Sequence, residues 1–184
     1  MVGNISNFND FDVIRCFLAV SRHVSRQKLK KELGLGEGTV RTILDMLKKK
    51  GLISSTRKGH SLTGKGEPLA GKINNTIELK KIKTNIYKNT KQAAVLIRQK
   101  KHVKIKVELR DTAIRNGADA ALILSFDKKL HAPGIEISFP ELDKLFKFEK
   151  NNILIVTFAK TQKDAENSAL AVADKISSFS GRLL

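Results

Sequence analysis

The sequence has a single cysteine, and this scarcity excludes two classes of site. Cys16 stands alone among 184 residues. The chain can therefore form neither an intramolecular disulfide nor a zinc cluster built on several thiolates. The four histidines are scattered, with no pair three or four residues apart, so we expect no metal site and no cofactor. No grouping of Ser, His and Asp suggests nucleophilic catalysis, and we expect the protein not to be an enzyme.

Long apolar runs are also absent. Nothing approaches the ~18 uninterrupted apolar residues that a membrane span needs. The first apolar stretch, FDVIRCFLAV, is interrupted by Arg15 and lacks a cleavage site, so no secretory signal is visible. We therefore expect a cytoplasmic protein without a membrane partner. Cys16 lies beside Phe17 on the first predicted helix, and we expect it to be a core residue.

Acidic residues are few compared with basic ones. The chain carries 35 Lys plus Arg against 18 Asp plus Glu, a formal net charge of +17. Since each Lys or Arg near a phosphate releases a condensed counterion, the excess favours a polyanionic partner, with a solvated basic surface as the alternative. The stretch from Lys72 to Lys106 holds eleven Lys plus Arg and one acid, Glu78. It is either a second DNA-contacting surface, a dimerisation helix or a solvated linker.

Hydrophobic periodicity predicts three helices in the first fifty residues. Asn9, with Asp12 three residues on, forms a capping box that starts the first helix. Ser25 starts the second, SRQKLKKEL, and Gly34 ends it because glycine tolerates the left-handed conformation. The third runs over 37–50, and its apolar stripe consists of Val40, Ile43, Leu44 and Leu47.

A hairpin and a fourth helix follow. Leu52 and Ile53 open a strand, STRKGH turns, SLT returns, and the fourth helix begins after Thr63, with 64–81 helical in pattern. This order is that of a helix-turn-helix followed by a wing. Residues 10–75, with TVRTILDMLKKKGLI followed by SLTGKG, resemble the winged-helix domains of prokaryotic transcription regulators. The resemblance implies DNA binding.

The third helix of such a domain lies in the major groove, and its N-terminal residues face base edges. Arg41 is the candidate for reading a guanine edge. Asp45 could accept from a cytosine amine, but pairing with Arg41 or Lys49 is the alternative. Arg57, Lys58 and His60 lie at the tip of the predicted wing. They are candidates for minor-groove or phosphate contact, with an ordinary polar turn as the alternative. The candidate DNA-binding residues are Gln27, Lys28, Thr39, Arg41, Thr42, Lys48, Arg57, Lys58 and His60.

The second half of the chain predicts a small sheet covered by helices. Three apolar runs are typical of buried strands: 93–98, 120–126 and 152–159. One helix ends at Gly117. Another starts at Thr161, which forms a capping box with Asp164. A hairpin at KKLHAPGIEI and a short helix capped by Ser138 lie between them. We expect an α+β fold, an N-terminal winged helix followed by a small α/β sandwich with a ferredoxin-like arrangement as the candidate.

The predicted organisation has three parts: a winged helix-turn-helix over 1–75, a basic helix or linker over 76–91 and an α/β sensing or dimerisation domain over 92–184. The run VELRDTAIRNGADAALILSFDKKLHAPG resembles the C-terminal domain of a family of archaeal winged-helix proteins whose second domain is uncharacterised. Its motif joins Arg110-Asp111, Ala113-Ile114 and Gly117-Ala118-Asp119. The candidate ligand-binding residues are Arg110, Asp111 and Asp119, with a dimer contact or an ordinary surface as alternatives.

These features favour a DNA-binding transcriptional regulator, a homodimer on double-stranded DNA with a small-molecule effector as a further candidate partner. A sequence-independent nucleic-acid binder and an enzyme with an appended winged helix are the alternatives. GHSLTGKG (59–66) contains the front of a phosphate-binding P-loop, but Gly66 stands where a Ser or Thr would bind magnesium. We therefore expect no nucleotide site there.

Overall fold

The chain is described by a computed structural model that covers residues 8–21, 25–57, 59–132 and 139–182. It divides into two compact units. The N-terminal unit comprises Met1–Ile73 with Ser180–Leu184, and the C-terminal unit comprises Asn74–Phe179. The N-terminal unit is mainly helical and the C-terminal unit is built on a sheet, so the predicted α+β class is confirmed.

The first three helices of the N-terminal unit begin and end close to the predicted positions, and the fourth ends earlier than its pattern predicted. The elements that begin in this unit are α1 (Asp10–Val20), α2 (Arg26–Leu33), α3 (Glu37–Lys49), β1 (Ile53–Thr56), β2 (Gly59–Leu62) and α4 (Gly66–Thr76). The capping box of α1 is present, because Asn9 and Asp12 each accept a hydrogen bond from the other's backbone N–H, both at 3.1 Å. Gly34 ends α2 at a φ of 66°, in the left-handed region that glycine tolerates.

The first three helices share one core. The predicted apolar stripe of α3 is buried, and so are Leu29 and Leu33 of α2. Cys16 is buried on α1, as predicted, and this burial raises the pKa of its thiol to about 12. The thiol therefore stays protonated and behaves as a small apolar side chain.

The hairpin is tied to the helices at both of its ends. Strands β1 and β2 are antiparallel, with Ile53 opposite Leu62. Thr63 donates its hydroxyl to the Gly51 carbonyl at 2.7 Å. Gly66 starts α4 so close to β1 that an added Cβ would lie 2.1 Å from the Leu52 carbonyl oxygen. Only glycine fits there, which fixes where α4 leaves the hairpin.

The C-terminal unit is a five-stranded antiparallel sheet with two helices on one face. Its elements are β3 (Ile77–Ile82), β4 (Lys91–Ile97), α5 (Val107–Arg115), β5 (Ala120–Phe126), β6 (Leu130–His131), α6 (Pro140–Asp143), β7 (Ile153–Ala159) and α7 (Gln162–Ser177). The strand order is β3-β4-β7-β5-β6, and each neighbouring pair is antiparallel. Helix α7 packs on β4 and β7 and contacts α5, which packs on β5.

Alternation along the strands separates the two faces of this sheet. Thr157 of β7 points to α7, since its hydroxyl donates to the Ala165 carbonyl at 2.6 Å. Its neighbours Val156 and Phe158 point to the opposite face, where they join a second apolar cluster that includes Leu142 of α6 and Phe146. Both faces of the central strand are therefore buried, as the uniformly apolar run predicted.

Two expectations differ from the structure. Residues 77–82, expected within a basic helix or linker, form β3, because α4 ends at Thr76 and IELKKI pairs along β4. The ferredoxin-like candidate holds in part, because β4, α5, β5, β7 and α7 follow the strand and helix order of that fold. The difference is in the last strand: that fold ends in a strand after its second helix, whereas β3, at the start of this unit, occupies the sheet edge beside β4. The cap predicted at Ser138 lies outside the described residues.

Candidate functional site

A basic groove on the N-terminal unit lies where α2 begins, α3 exposes its polar face and the hairpin approaches them. It encloses about 190 Å³. Three of its lining residues are cations, one is an acid and one is a histidine. The lining residues are Arg26, Arg41, Leu44, Asp45, Lys48, Ser55 and His60. Six of the seven are polar, so the groove suits a charged or polar partner.

Helix α3 supplies one wall of the groove because of its amphipathic spacing. Arg41, Asp45 and Lys48 are separated by four and then three residues, which places them on one face of the helix. All three are exposed, and the buried stripe takes the opposite face. Thr42 is also exposed, but its hydroxyl donates to the Gly38 carbonyl at 3.0 Å. Thr39 is half-buried.

The hairpin places His60 within this cationic field. The Ser55 hydroxyl and His60 Nδ1 are 2.8 Å apart, a hydrogen bond that holds the imidazole across the hairpin. Burial lowers the pKa of His60 below its ordinary value of 6.5, and the positive charges of Arg26 and Lys48 lower it further, while Asp45 acts in the opposite direction. His60 is therefore neutral at pH 7, and the surrounding potential is positive.

The charges of the groove are only weakly paired within the protein. Arg26 Nη1 lies 3.8 Å from Glu37 Oε1, with both side chains well exposed. In the described part of the chain, Asp45 makes no ion pair with Arg41 or Lys49, so the alternative pairing considered for it is absent. Arg41 is thus free to meet an external acceptor.

The other predicted DNA-binding residues lie outside the lining of this groove. Gln27 and Lys28 are exposed on the first turn of α2. Arg57 is exposed in the hairpin. Lys58 lies outside the described residues. Sequence reasoning missed Arg26, although its place directly after the Ser25 cap of α2 could have identified it as exposed.

The predicted ligand-binding residues of the C-terminal unit do not converge. Arg110 lines a cavity of about 390 Å³ beside β5. Asp111 and Asp119 are exposed and are not among the lining residues described. Asp119 takes a structural part instead, since its backbone N–H donates to the Phe158 carbonyl at 2.7 Å. Sequence reasoning missed Tyr87, because it reaches the cavity from a distant segment.

The described residues add two observations about other kinds of site. No three His, Cys, Asp and Glu side chains in the described ranges come together as metal ligands could. None of the helices described combines the length and apolar character that crossing a bilayer requires.

Comparison with known proteins gives a match to each half of the chain. Residues 11–68 match the family model described as "PH0730-like, N-terminal domain". Residues 87–176 match a model described as "Domain of unknown function (DUF4443)". The two matched stretches fall within the helical N-terminal region and the sheet unit, respectively.

A solved structure extends the similarity over the whole chain. The hypothetical protein PH0730 from the archaeon Pyrococcus horikoshii OT3 shares 28% sequence identity, with a TM-score of 0.79 and 94% of each chain covered. The chain therefore resembles an archaeal protein in both of its units. No curated protein matches it.

Proposed function

We propose that the protein is a DNA-binding transcriptional regulator whose N-terminal unit is a winged helix. In this proposal α2 and α3 form the helix-turn-helix and the β1–β2 hairpin is the wing. The observation that carries it is the basic groove, where Arg26, Arg41 and Lys48 stand against one acid, Asp45, among the described lining residues. Clustered cations beside an exposed helix face are the electrostatic footprint of a nucleic-acid site.

The residues of the groove take different parts in the proposal. Arg41 enters the major groove and contacts a base edge, because it is exposed on α3 and makes no ion pair with any described residue. Lys48 and Arg26 flank it and neutralise phosphates. Thr39 and Thr42 lie on the same helix and contact the backbone or an adjacent base.

The remaining candidates extend this surface. Gln27 and Lys28 contact phosphate from the exposed first turn of α2. Arg57, Lys58 and His60 belong to the wing, which takes the adjacent minor groove or its phosphates. These contacts add affinity without reading sequence, because phosphates are the same at every step.

The C-terminal unit serves ligand sensing or dimerisation in this proposal. Proteins with a helix-turn-helix commonly bind as two-fold dimers, one half-site to each copy, and a homodimer on a pseudo-palindromic site is therefore proposed by analogy. The five-stranded sheet and its helices form a compact unit of their own, as a separate sensing domain requires.

A salt titration with matched variants tests the assignment to the groove. The affinity of the full chain for a fluorescent duplex is measured at several salt concentrations, and the slope of log K against log[salt] counts neutralised phosphates. The variant R26A/R41A/K48A removes three charges from the groove. The control K128A/K129A/K147A removes three exposed lysines from the C-terminal unit. We expect the groove variant to lose about 0.9 of slope per phosphate contact removed and the control to retain its slope. Equal losses in both would contradict the assignment.

A sequence-independent nucleic-acid binder is the second candidate. It is favoured by the segment over 98–106, which leads into α5 and exposes Lys100, Lys101, Lys104 and Lys106. Such a protein would bind all duplexes alike, with a steep salt dependence. A regulator should prefer its site over random DNA by roughly 10³ or more.

A further inference from the structure

The cavity beside β5 has the size and the apolar walls of a small-molecule site. Its volume of about 390 Å³ lies within the range of ~300–1,000 Å³ typical of ligand pockets. The ring of Tyr87 packs on that of Phe158, with centroids 5.5 Å apart, and both line the cavity. Leu122 of β5 adds aliphatic surface from the face that carries Phe158, and Ile123 adds it from the opposite face, so the cavity follows the edge of this strand. These walls would bury an alkyl chain or an aromatic ring.

Two positively charged side chains line this apolar cavity. Lys106 directly precedes α5 and Arg110 lies on its first turns, and both line the cavity. Both side chains are exposed, and neither makes an ion pair within the part of the chain that the structure describes. The described lining contains no acid. Charge complementarity therefore calls for an anionic group on the occupant.

We propose that this cavity binds a small apolar carboxylate. The apolar tail lies between the Tyr87 and Phe158 rings and the side chains of β5, and the carboxylate meets the guanidinium of Arg110, with Lys106 beside it. An Arg–carboxylate contact can be bidentate, which fixes orientation as well as adding affinity. The inference builds on the ligand-sensing role proposed for the C-terminal unit, and it supplies the chemistry of the ligand.

Other ligand classes fit the cavity less well. A neutral apolar molecule would leave both cations without a counter-charge. A nucleotide carries several polar groups, whereas the described walls are predominantly aliphatic and aromatic. A carboxylate with a single apolar tail provides both a counter-charge for the two cations and an apolar surface for the walls of the cavity.

Calorimetric titration of the full chain with matched probes tests the proposal. The carboxylates are octanoate and phenylacetate, and the neutral controls are octanol and phenylethanol, which keep the tail and lose the charge. No DNA is present, so the outcome is independent of the proposed DNA binding. We expect saturable binding of at least one carboxylate and binding at least about tenfold weaker for its alcohol, since a hydrogen bond to a charged group contributes about 1.5–3 kcal/mol.

Two pairs of variants locate the site. R110M removes one of the two cations of the cavity, the one placed against the carboxylate, and R115M removes an exposed arginine from the same helix outside the cavity lining. We expect R110M to weaken carboxylate binding about tenfold and R115M to leave it unchanged. Val107 is 76% exposed and lines the cavity. V107D should weaken carboxylate binding, because it places a second negative charge near the ligand's carboxylate. V107N introduces a side chain of the same shape without the charge and should not weaken binding.

Three results would overturn the proposal. They are the absence of saturable binding of either carboxylate, equal binding of a carboxylate and its alcohol, and an equal effect of R110M and R115M. Circular dichroism of each variant confirms that the fold is retained, and the V107D and V107N pair provides the decision if R110M does not fold.

Discussion

Arg15 Nη1 lies 3.0 Å from Asp12 Oδ1, and the two side chains are only 1% and 0% exposed. Arg15 Nη2 also donates to the Leu33 carbonyl at 2.9 Å. Leu33 is the last residue of α2, where carbonyl groups lack partners within their own helix. The buried pair therefore joins α1 to the end of α2, directly before the turn that leads into α3.

Replacing Arg15 with Met should destabilise the protein strongly. The change removes the guanidinium that faces Oδ1 of the buried Asp12 carboxylate, and it removes a donor from the Leu33 carbonyl, so we expect a loss of about 3–5 kcal/mol in the free energy of unfolding. Urea denaturation measures it. R57M, at an exposed arginine of the hairpin, is the control and should change stability by less than about 0.5 kcal/mol. Equal stability of the two variants would show that the pair contributes nothing.

Replacing Arg41 with Ala should relax sequence preference at one position of the DNA site. The proposed base contact is worth about 1–3 kcal/mol of discrimination against the wrong base. The affinities of single-base variants of a bound duplex, measured for both proteins, show whether one position has become permissive. K28A should weaken all these duplexes alike, since the exposed Lys28 is assigned to a phosphate contact. A uniform loss in R41A would reject the base contact.

DNA affinity should rise with falling pH through His60. The free protein holds the pKa of His60 below 6.5, so the imidazole is neutral at pH 7. Phosphate nearby favours the protonated form, so binding takes up a proton, and affinity increases between about pH 7.5 and pH 5.5. Binding of wild type and H60Q is compared across this range. The other histidines are the same in both proteins, so the difference between the two curves reports His60 alone. Parallel curves would exclude His60 from the interface.

The ionised carboxylate of Glu78 should stabilise the protein only at pH values above the pKa of this group. Burial alone would raise the pKa of this carboxyl, but hydrogen bonds from Lys80 and Arg98 outweigh burial and lower it below 4.5. The stabilisation is therefore present above pH 4.5 and lost as pH falls through the lowered pKa. E78Q should lower the Tm at pH 7, by the equivalent of about 1 kcal/mol or less, and have little effect near pH 3.

Glu149 provides the control for this prediction. It is exposed and its side chain makes no ion pair with any residue that the structure describes. E149Q should leave the Tm unchanged at both pH values. A destabilisation by E78Q that persists at pH 3 would assign its effect to packing of β3 and not to charge.

Local patterns predicted the elements of this chain well. The stripe of Val40, Ile43, Leu44 and Leu47 identified the buried face of α3 because helical spacing alone decides it. The Asn9 cap and the end of α2 at Gly34 follow from backbone chemistry within a few residues. The exposed face of α3, which carries the groove, was predictable for the same reason.

Features that depend on distant contacts were not predictable. The lysine-rich segment over 77–82 becomes β3 only because β4 pairs along its whole length. In the sequence, Arg15 interrupts an apolar stretch. Its burial was not predictable, because it depends on two partners, Asp12 and the Leu33 carbonyl, that tertiary packing brings together. The cavity beside β5 combines Tyr87 with Arg110, and no spacing in the sequence relates these two residues.

Selection of bound sites from a pool of random duplexes tests whether the polar face of α3 reads DNA sequence. We expect the wild-type chain to enrich a defined site, bound at least roughly 10³-fold more tightly than random duplex, and R41A to enrich the same site with one position relaxed. Recovery of the pool without enrichment, with equal affinity for every duplex, would contradict it.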